Sequence, residues 1–139
     1  MPSTMTLTDL AKKMADIDIA NLSTHTEGGN IAARPMSNNG QVEYDGTSYY
    51  FSYGEARVVS DIQADPKVAL TFQGQHYFYV AVEGQARLIT DKAAMREHWT
   101  EDLNRWFKQG LDTPGLTMIQ IDATRIHYWD GEEDGEVKL

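Results

Sequence analysis

Short strand-forming runs separated by turn signals are the feature that most restricts what this chain can fold into. Turn dipeptides such as Asn39-Gly40, Asp45-Gly46 and Gly74-Gln75 interrupt apolar and aromatic runs along the sequence. Asn-Gly and Asp-Gly favour tight hairpins between antiparallel strands, whereas parallel strands need long crossover connections. The pattern predicts a mainly β fold in which consecutive antiparallel strands, with short helices inserted, close into a small barrel.

The individual runs indicate where these elements begin and end. Strands are predicted over residues 18–25, 31–36, 42–44, 48–53, 67–73 and 76–90, with closing strands over 116–121 and 125–129. Helices are predicted over residues 8–17 behind an N-cap at Thr8, over 56–62, from Asp91 toward Trp99, and from Thr100 to Gly110. Gly84 interrupts the longest run and is expected at a β-bulge or bend.

Composition points to one ordinary globular domain over residues 1–139. The chain has no cysteine, no long apolar stretch and no N-terminal signal pattern. We therefore expect a cytoplasmic protein without a membrane span, a disulfide or a cysteine-based metal site. The net charge of −9 argues against nucleic acid as a partner, because phosphate backbones are bound by dense lysine and arginine. Residues 130–139 are strongly acidic and are expected to form a flexible, solvated tail.

Two arginines follow runs that are typical of strands. Arg34 ends an apolar run immediately before Pro35, and a proline keeps the preceding residue extended. Arg57 follows the aromatic run 49–53. We predict that the two runs lie side by side in one sheet and that the arginines share an anionic ligand, since a guanidinium group suits oxyanions. The alternative is that each arginine pairs with a surface carboxylate, as many arginines do.

Several common chemistries have no support in the sequence. The chain contains no Gly-x-Ser-x-Gly elbow, no Gly-x-x-x-x-Gly-Lys loop and no Gly-x-Gly-x-x-Gly turn. Its four histidines lack paired spacing, so no metal site is expected. The arginines, the Ser52 hydroxyl and a surplus of aromatic rings remain, and these groups suit a phosphorylated planar ligand.

The order and spacing of several segments resemble one known family. These segments are Ala33-Arg34-Pro35-Met36, Phe51-Ser52, Arg57-Val58-Val59-Ser60-Asp61-Ile62, Asp65-Pro66-Lys67-Val68, Tyr79–Ala86, Trp106–Gly110 and Asp112-Thr113-Pro114. Together they resemble the general stress protein branch of the pyridoxamine 5'-phosphate oxidase-like, FMN-binding split barrels. The resemblance implies a mainly β fold, a six-stranded antiparallel split β-barrel with peripheral helices.

The resemblance also implies a ligand and an assembly, because the family binds FMN at the interface of a homodimer. Arg34 matches the arginine that contacts the phosphate, and Arg57 matches the basic residue that completes the phosphate site. The family's strand-end hydroxyl residue falls on Ser52, with Tyr53 as the competing position. The remaining implied positions are Pro35, Met36 and Ser37 along the isoalloxazine ring. Trp106 lies at the end of a predicted helix just before Gly110, and we expect it near the ligand or the dimer face.

The sequence departs from the true oxidases at Phe78, Tyr79 and Ala81, where those enzymes carry an Arg-Gln-x-Arg run. An acidic tail also replaces their C-terminal arginine segment, so oxidation of pyridoxamine 5'-phosphate is not expected. The leading hypothesis is an FMN-dependent oxidoreductase of unknown substrate, with NAD(P)H as a candidate electron donor. The alternatives are a non-catalytic, flavin-sequestering stress protein and a split barrel that binds haem or a deazaflavin. Candidate haem ligands are His25, His76 and His127, and FMN and FAD are not distinguished.

Overall fold

Antiparallel strands form one curled sheet in the computed structural model, which describes residues 5–38, 44–137 and 139. The strands are β1 (Ile19–His25), β2 (Ile31–Ser37), β3 (Thr47–Tyr53), β4 (Lys67–Gln73), β5 (Phe78–Ile89), β6 (Leu116–Asp130) and β7 (Glu133–Val137). Hydrogen bonds join six of them in the order β2-β1-β4-β5-β6-β3, and β7 pairs with β6. The predicted fold class, an antiparallel half-barrel of six strands with short helices, is confirmed.

The concave side of the sheet holds the main core. Alternate residues of β4, Val68, Leu70 and Phe72, are buried while their neighbours face outward. The same alternation along β5 buries Val80 and Val82. This period of two is what a strand with one covered face requires, and it explains why the runs were recognisable in the sequence.

Gly84 lies at a break in the pairing of β5 with β6, as predicted. The register shifts between Glu83 and Gly84, and a Cβ atom at position 84 would lie 2.6 Å from the backbone oxygen of Asp122. Such a distance is shorter than real Cβ contacts, so the strands approach this closely only because the residue is glycine.

The helices are short and peripheral. They are α1 (Leu7–Met14), α2 (Arg57–Ala64) and α3 (Lys92–Glu97), with 3-10 turns at Glu27–Gly29, Glu101–Arg105 and Gly110–Asp112. The N-cap predicted at Thr8 is wrong, because Thr6 caps α1 through a reciprocal capping box with Asp9. None of the helices in the described ranges is long and apolar enough to cross a membrane.

The C-terminal part of the chain differs from the prediction. The two closing strands are one continuous strand, β6, which pairs with β3 through its first half and with β5 along most of its length. The acidic segment expected to be a solvated tail contains β7, whose Val137 is buried and whose Glu136 forms an ion pair with Arg125 of β6. Backbone pairing with β6 places these acidic residues in a strand. The strand was not predicted, because a run of acidic residues is typical of a solvated tail.

The two runs that the arginines were expected to join are not neighbours in the sheet. The first, β2, pairs with β1 as a hairpin, and the second, β3, pairs with β6 at the opposite end of the strand order. The prediction that the two runs pair side by side is therefore wrong, because β2 pairs with β1 and β3 pairs with β6. Residues 39–43, which include Asn39-Gly40 and most of the strand predicted over 42–44, lie outside the described residues.

Candidate functional site: the groove between the edge strands

The two end strands of the sheet, β2 and β3, face each other across a groove of about 360 Å³. Its walls are mostly apolar and aromatic, and its volume falls within the range that holds small ligands and cofactors. The lining residues are Ile19, Pro35, Met36, Ser37, Tyr49, Tyr50, Phe51, Leu103, Trp106 and Phe107. We call this space the edge groove. Curling of the sheet thus brings together, through space, two strands that are not hydrogen-bonded to each other.

Four of the residues singled out in the sequence line the edge groove: Pro35, Met36, Ser37 and Trp106. Pro35 is compatible with β2 because this strand is an edge, where a missing backbone N–H breaks no ladder. Trp106 follows the 3-10 turn Glu101–Arg105, and its side chain is 62% exposed. A large aromatic ring this exposed contributes little to a core and is available to a ligand or a partner.

A second hydrophobic cluster supports the groove from beneath. It contains the buried residues Phe51, Met95, Phe107, Leu116 and Met118 and is separate from the main core. The Tyr53 ring lies 5.1 Å from that of Phe107, and Tyr53 Oη donates a 3.4 Å hydrogen bond to the backbone oxygen of Trp106. The cluster therefore holds the Trp106 segment against β3.

The two competing hydroxyl residues point to opposite faces of β3. Ser52 shares the interior face with the buried Tyr50, whereas Tyr53 is exposed and contacts the Trp106 segment. Neither of them lines the edge groove. The structure thus places Tyr53 beside the groove and Ser52 on the interior side of the strand.

Arg34 is held by contacts within the protein. Its Nη1 donates to the Leu22 backbone oxygen at 3.1 Å and to Thr24 Oγ1 at 2.9 Å, and its Nη2 donates to Asp61 Oδ2 at 3.3 Å. Thr24 Oγ1 in turn donates to Asp61 Oδ2 at 2.8 Å. Both partners are buried, with Thr24 1% and Asp61 8% exposed. Arg34 therefore pairs with a buried carboxylate on α2. The alternative interpretation, in which Arg34 pairs with a surface carboxylate, is wrong.

Arg57 is the first residue of α2 and is exposed, with no ion pair among the described residues. It precedes Asp61 by four positions, and residues four apart lie on one face of a helix, about 5–6 Å apart at Cβ. Asp61 contacts Arg34 and follows Arg57 by one helical turn. The backbone N–H groups at the start of α2 add a partial positive charge beside Arg57.

Tyr50 is a groove residue that the sequence reading did not single out. Its Oη is buried. Burial raises the pKa of Tyr50, and the nearby Ser48 hydroxyl opposes this rise only in part. The phenol therefore stays protonated at neutral pH and can donate a hydrogen bond. Nothing in the sequence distinguishes Tyr50 from the other aromatic residues of β3, so a role as a hydrogen-bond donor could not be predicted from it.

Histidines do not contribute to the edge groove. His98 stacks on the outer side of Tyr49, with ring centroids 3.5 Å apart, while His127 contacts Asp134 of β7 at 2.8 Å. None of the candidate haem ligands His25, His76 and His127 lines the groove. Across the described ranges, no three His, Asp or Glu side chains converge as a metal site would require.

A larger depression of about 810 Å³ lies between α1 and the turn that joins β4 to β5. Charged and amide side chains form most of its wall, including Lys13, Asp16, Asp18 and Gln73. This surface suits a planar apolar ring less well than the edge groove does.

Comparisons with known proteins agree with this architecture. The family model for pyridoxamine 5'-phosphate oxidase like proteins matches residues 6–139. No curated protein sequence matches the chain at a significant level. Among solved structures, a protein related to general stress protein 26 from Clostridium acetobutylicum has a TM-score of 0.82 at 18% identity, covering 96% of this chain and 94% of that one.

Two further structures have the same fold and carry a ligand or an activity in their descriptions. A general stress FMN/FAD binding protein from Xanthomonas citri has a TM-score of 0.76 at 20% identity, covering 96% of this chain and 94% of that one. A protein described as an F420 reductase has a TM-score of 0.63 at 18% identity, covering 83% of this chain and 93% of that one. At these identities the likeness concerns the fold.

Proposed function

The chain belongs to the pyridoxamine 5'-phosphate oxidase-like family, and from that premise we propose that it binds a flavin, FMN, in the edge groove. The observation that carries the proposal is the groove itself: two edge strands and an exposed tryptophan enclose an aromatic space of cofactor size. The descriptions of the Xanthomonas citri protein and the F420 reductase support a ligand of the flavin type.

The groove residues fit the two chemical parts of a flavin ring. Pro35, Met36 and the ring of Trp106 offer apolar surface to a planar tricycle. The free edge of β2 offers backbone groups to the polar pyrimidine end.

The phosphate is assigned to Arg34 and Arg57 at the start of α2. Three of the five N–H donors of Arg34 are used by Leu22, Thr24 and Asp61, which leaves two donors for a ligand. Arg57 is exposed at the start of α2. We assign the hydroxyl contact near the ribityl chain to Ser52 or Tyr53, as the family resemblance implies.

When bound, FMN supplies electron transfer, and the protein residues supply orientation and shielding from water. We propose an oxidoreductase that takes electrons from NADH or NADPH, with a substrate other than pyridoxamine 5'-phosphate. The reason is the outer face of β5, where Tyr79 and Ala81 provide no cation for a second phosphate.

We also propose that the active form is a homodimer. The edge groove is open beside Trp106, and the outer aromatic residues Tyr53, Tyr79 and Trp129 are each more than a third exposed. A second copy would cover such a surface and shield the bound ring. Light scattering of the purified protein at micromolar concentration should give twice the chain mass, and a monomer that retains flavin would contradict the proposal.

Titration with FMN and riboflavin tests the ligand assignment. A charge-assisted hydrogen bond contributes about 1.5–3 kcal/mol, so Arg57→Ala should weaken FMN binding by roughly 10- to 150-fold. Riboflavin lacks the phosphate, and its affinity should change less than about twofold. Arg34→Ala should show the same contrast between the two ligands, together with a loss of stability, because it also leaves Asp61 without its cation.

Two results would contradict the assignment. If both variants lose FMN and riboflavin equally, the arginines support the fold or the ring and not the phosphate. If the unmodified protein binds neither ligand, the edge groove is not a flavin site. The absorption spectrum of the protein as purified distinguishes a flavin from a deazaflavin or haem, and reduction of bound FMN by NADH or NADPH distinguishes an oxidoreductase from a flavin-storing protein.

A further inference from the structure

A second concave space, separate from the edge groove, lies between α2, α3 and the loop that precedes β6. Its volume is about 520 Å³, which falls within the range that holds small ligands. It shares no lining residue with the edge groove, although Met95 and Leu116 of its wall belong to the second hydrophobic cluster. We call this space the α3 cleft.

The apolar part of the α3 cleft is aliphatic. Its wall includes Val59, Leu88, Met95, Leu111 and Leu116, and no aromatic ring is among the described residues that line it. An alkyl chain gains free energy by contact with such a surface, and the unbranched side chain of a methionine adapts to the shape of a ligand. The walls of the edge groove, in contrast, are largely aromatic. The α3 cleft therefore suits an aliphatic chain better than a planar ring.

The charge of the α3 cleft is opposite in sign to that of the chain. Lys92 is the one charged side chain among the described lining residues, whereas the whole chain has a net charge of −9. Lys92 Nζ forms an ion pair with Asp112, which is not part of the wall. The two side chains are 52% and 78% exposed, and an ion pair this exposed contributes little to stability. A carboxylate from a ligand can therefore replace Asp112 on Lys92 at small cost.

We propose that the α3 cleft binds an aliphatic monocarboxylate, with the alkyl chain on the apolar wall and the carboxylate on Lys92 Nζ. The wall also contains Gln63 and Thr90, which are exposed and offer further hydrogen-bond donors to a carboxylate oxygen. This site goes beyond the flavin proposal and does not depend on it, because the α3 cleft and the edge groove have no lining residue in common.

Titration of the unmodified protein with octanoate and octylamine tests the head group at constant chain length. Lys92 attracts the carboxylate and repels the ammonium group, so octanoate should bind at least about threefold more tightly than octylamine. The net charge of the chain favours the opposite order, and a preference for the anion must therefore come from a local cation. Octylamine binding as tightly as octanoate, or no binding of octanoate, would overturn the inference.

Two variants should change the octanoate affinity in opposite directions. Lys92→Gln removes the cation and should weaken octanoate binding roughly 3- to 5-fold, whereas Asp112→Asn removes the competing carboxylate and should strengthen it roughly 2- to 5-fold. Octanol has the same chain without a charge, and its affinity should stay constant in both variants. The matched control is Lys12→Gln, which removes the same charge from α1, a helix with no residue in the wall, and should leave octanoate binding unchanged.

The methyl NMR signal of Met95 reports where the alkyl chain binds, and Met95→Leu identifies that signal. It should shift on addition of octanoate, and each methylene added between hexanoate and octanoate should raise the affinity by roughly two- to fourfold. The inference is wrong if the Met95 signal does not move, or unless Lys92→Gln and Asp112→Asn act in opposite directions. All of these measurements use the protein without added flavin, so their failure would leave the proposed function standing.

Discussion

At the scale of single residues, the edge groove depends on side chains whose roles cannot be recognised from residue type. The hydroxyl oxygens of Tyr50 and Tyr44 are both buried, yet only Tyr50 lines the groove. Trp106 and Phe107 are adjacent in sequence, and one is exposed while the other is buried. These two pairs allow ligand binding and stability to be examined independently.

Tyr50→Phe removes one hydroxyl from the groove wall. If Tyr50 donates to the flavin, the change should weaken FMN and riboflavin equally, by roughly 2- to 12-fold, the value of a neutral hydrogen bond. The free energy of unfolding should change by less than about 1.5 kcal/mol, the upper value for a neutral hydrogen bond. The matched control is Tyr44→Phe, which should leave both flavin affinities unchanged in a fluorescence titration. Equal weakening by both variants would show an indirect effect.

Trp106→Ala and Phe107→Ala should separate binding from folding. The exposed Trp106 should contribute to flavin affinity, with a stability cost below about 1 kcal/mol. The buried Phe107 belongs to the second hydrophobic cluster, and its truncation should cost about 3–5 kcal/mol. Urea denaturation measures the stability, and quenching of flavin fluorescence measures the binding. A large loss of stability in Trp106→Ala, with unchanged affinity, would make that residue part of the core.

At the scale of strands and helices, hydrophobic alternation predicted elements correctly, whereas local charge led to a wrong prediction at the C-terminal strand. The alternating runs predicted β1, β2, β4 and β5 within a few residues. The strand β7 was not predicted, because its residues are acidic. Its pairing with β6 depends on backbone hydrogen bonds, which side-chain polarity does not indicate. The partner of β3 was also unpredictable, since strand order depends on contacts between distant segments of the chain.

Gly84→Ala tests the predicted bulge directly. A Cβ atom 2.6 Å from the Asp122 backbone oxygen forces β5 and β6 apart, and the cost should be roughly 2 kcal/mol or more. Gly54→Ala is a milder comparison, because its Cβ would lie 3.2 Å from the Gly115 backbone oxygen. We expect its cost to be less than half that of Gly84→Ala in urea denaturation. Equal costs would mean that close approach to β6 does not determine the need for glycine at position 84.

At the scale of the whole molecule, the sequence predicted the fold class, and three of the residues it singled out, Pro35, Met36 and Ser37, line the edge groove. Pro35, Met36 and Ser37 were singled out by the resemblance to the family. Asp61 was missed as a partner of Arg34, because nothing in a helix sequence marks a carboxylate as buried beneath a neighbouring strand. Its position four residues after Arg57 was the only available signal.

The free energy of unfolding should decrease at alkaline pH because of two tyrosine hydroxyl groups. Burial raises the pKa of both Tyr44 and Tyr50, so the folded protein retains protons that the unfolded chain releases above about pH 10. Their contribution is therefore complete below pH 10 and is lost as the pH rises, at up to about 1.4 kcal/mol per pH unit for each phenol. Urea midpoints measured from pH 9 to pH 11 should fall accordingly. The double variant Y44F/Y50F should show a flatter profile, and an unchanged slope would assign the effect to other groups.

The position of β6 in the strand order has a consequence for how the protein is made. β3 hydrogen-bonds only with β6 among the described strands, and β6 is also the partner of β5 and β7. During synthesis β3 leaves the ribosome before β6 is translated. Its aromatic residues therefore lack their strand partner until β6 has been made. Pairings between distant segments are slow to form and leave apolar strands open to aggregation. A ribosome-bound chain stalled before Leu116 should therefore remain protease-sensitive in the region of β3, even where β1, β4 and β5 have already assembled.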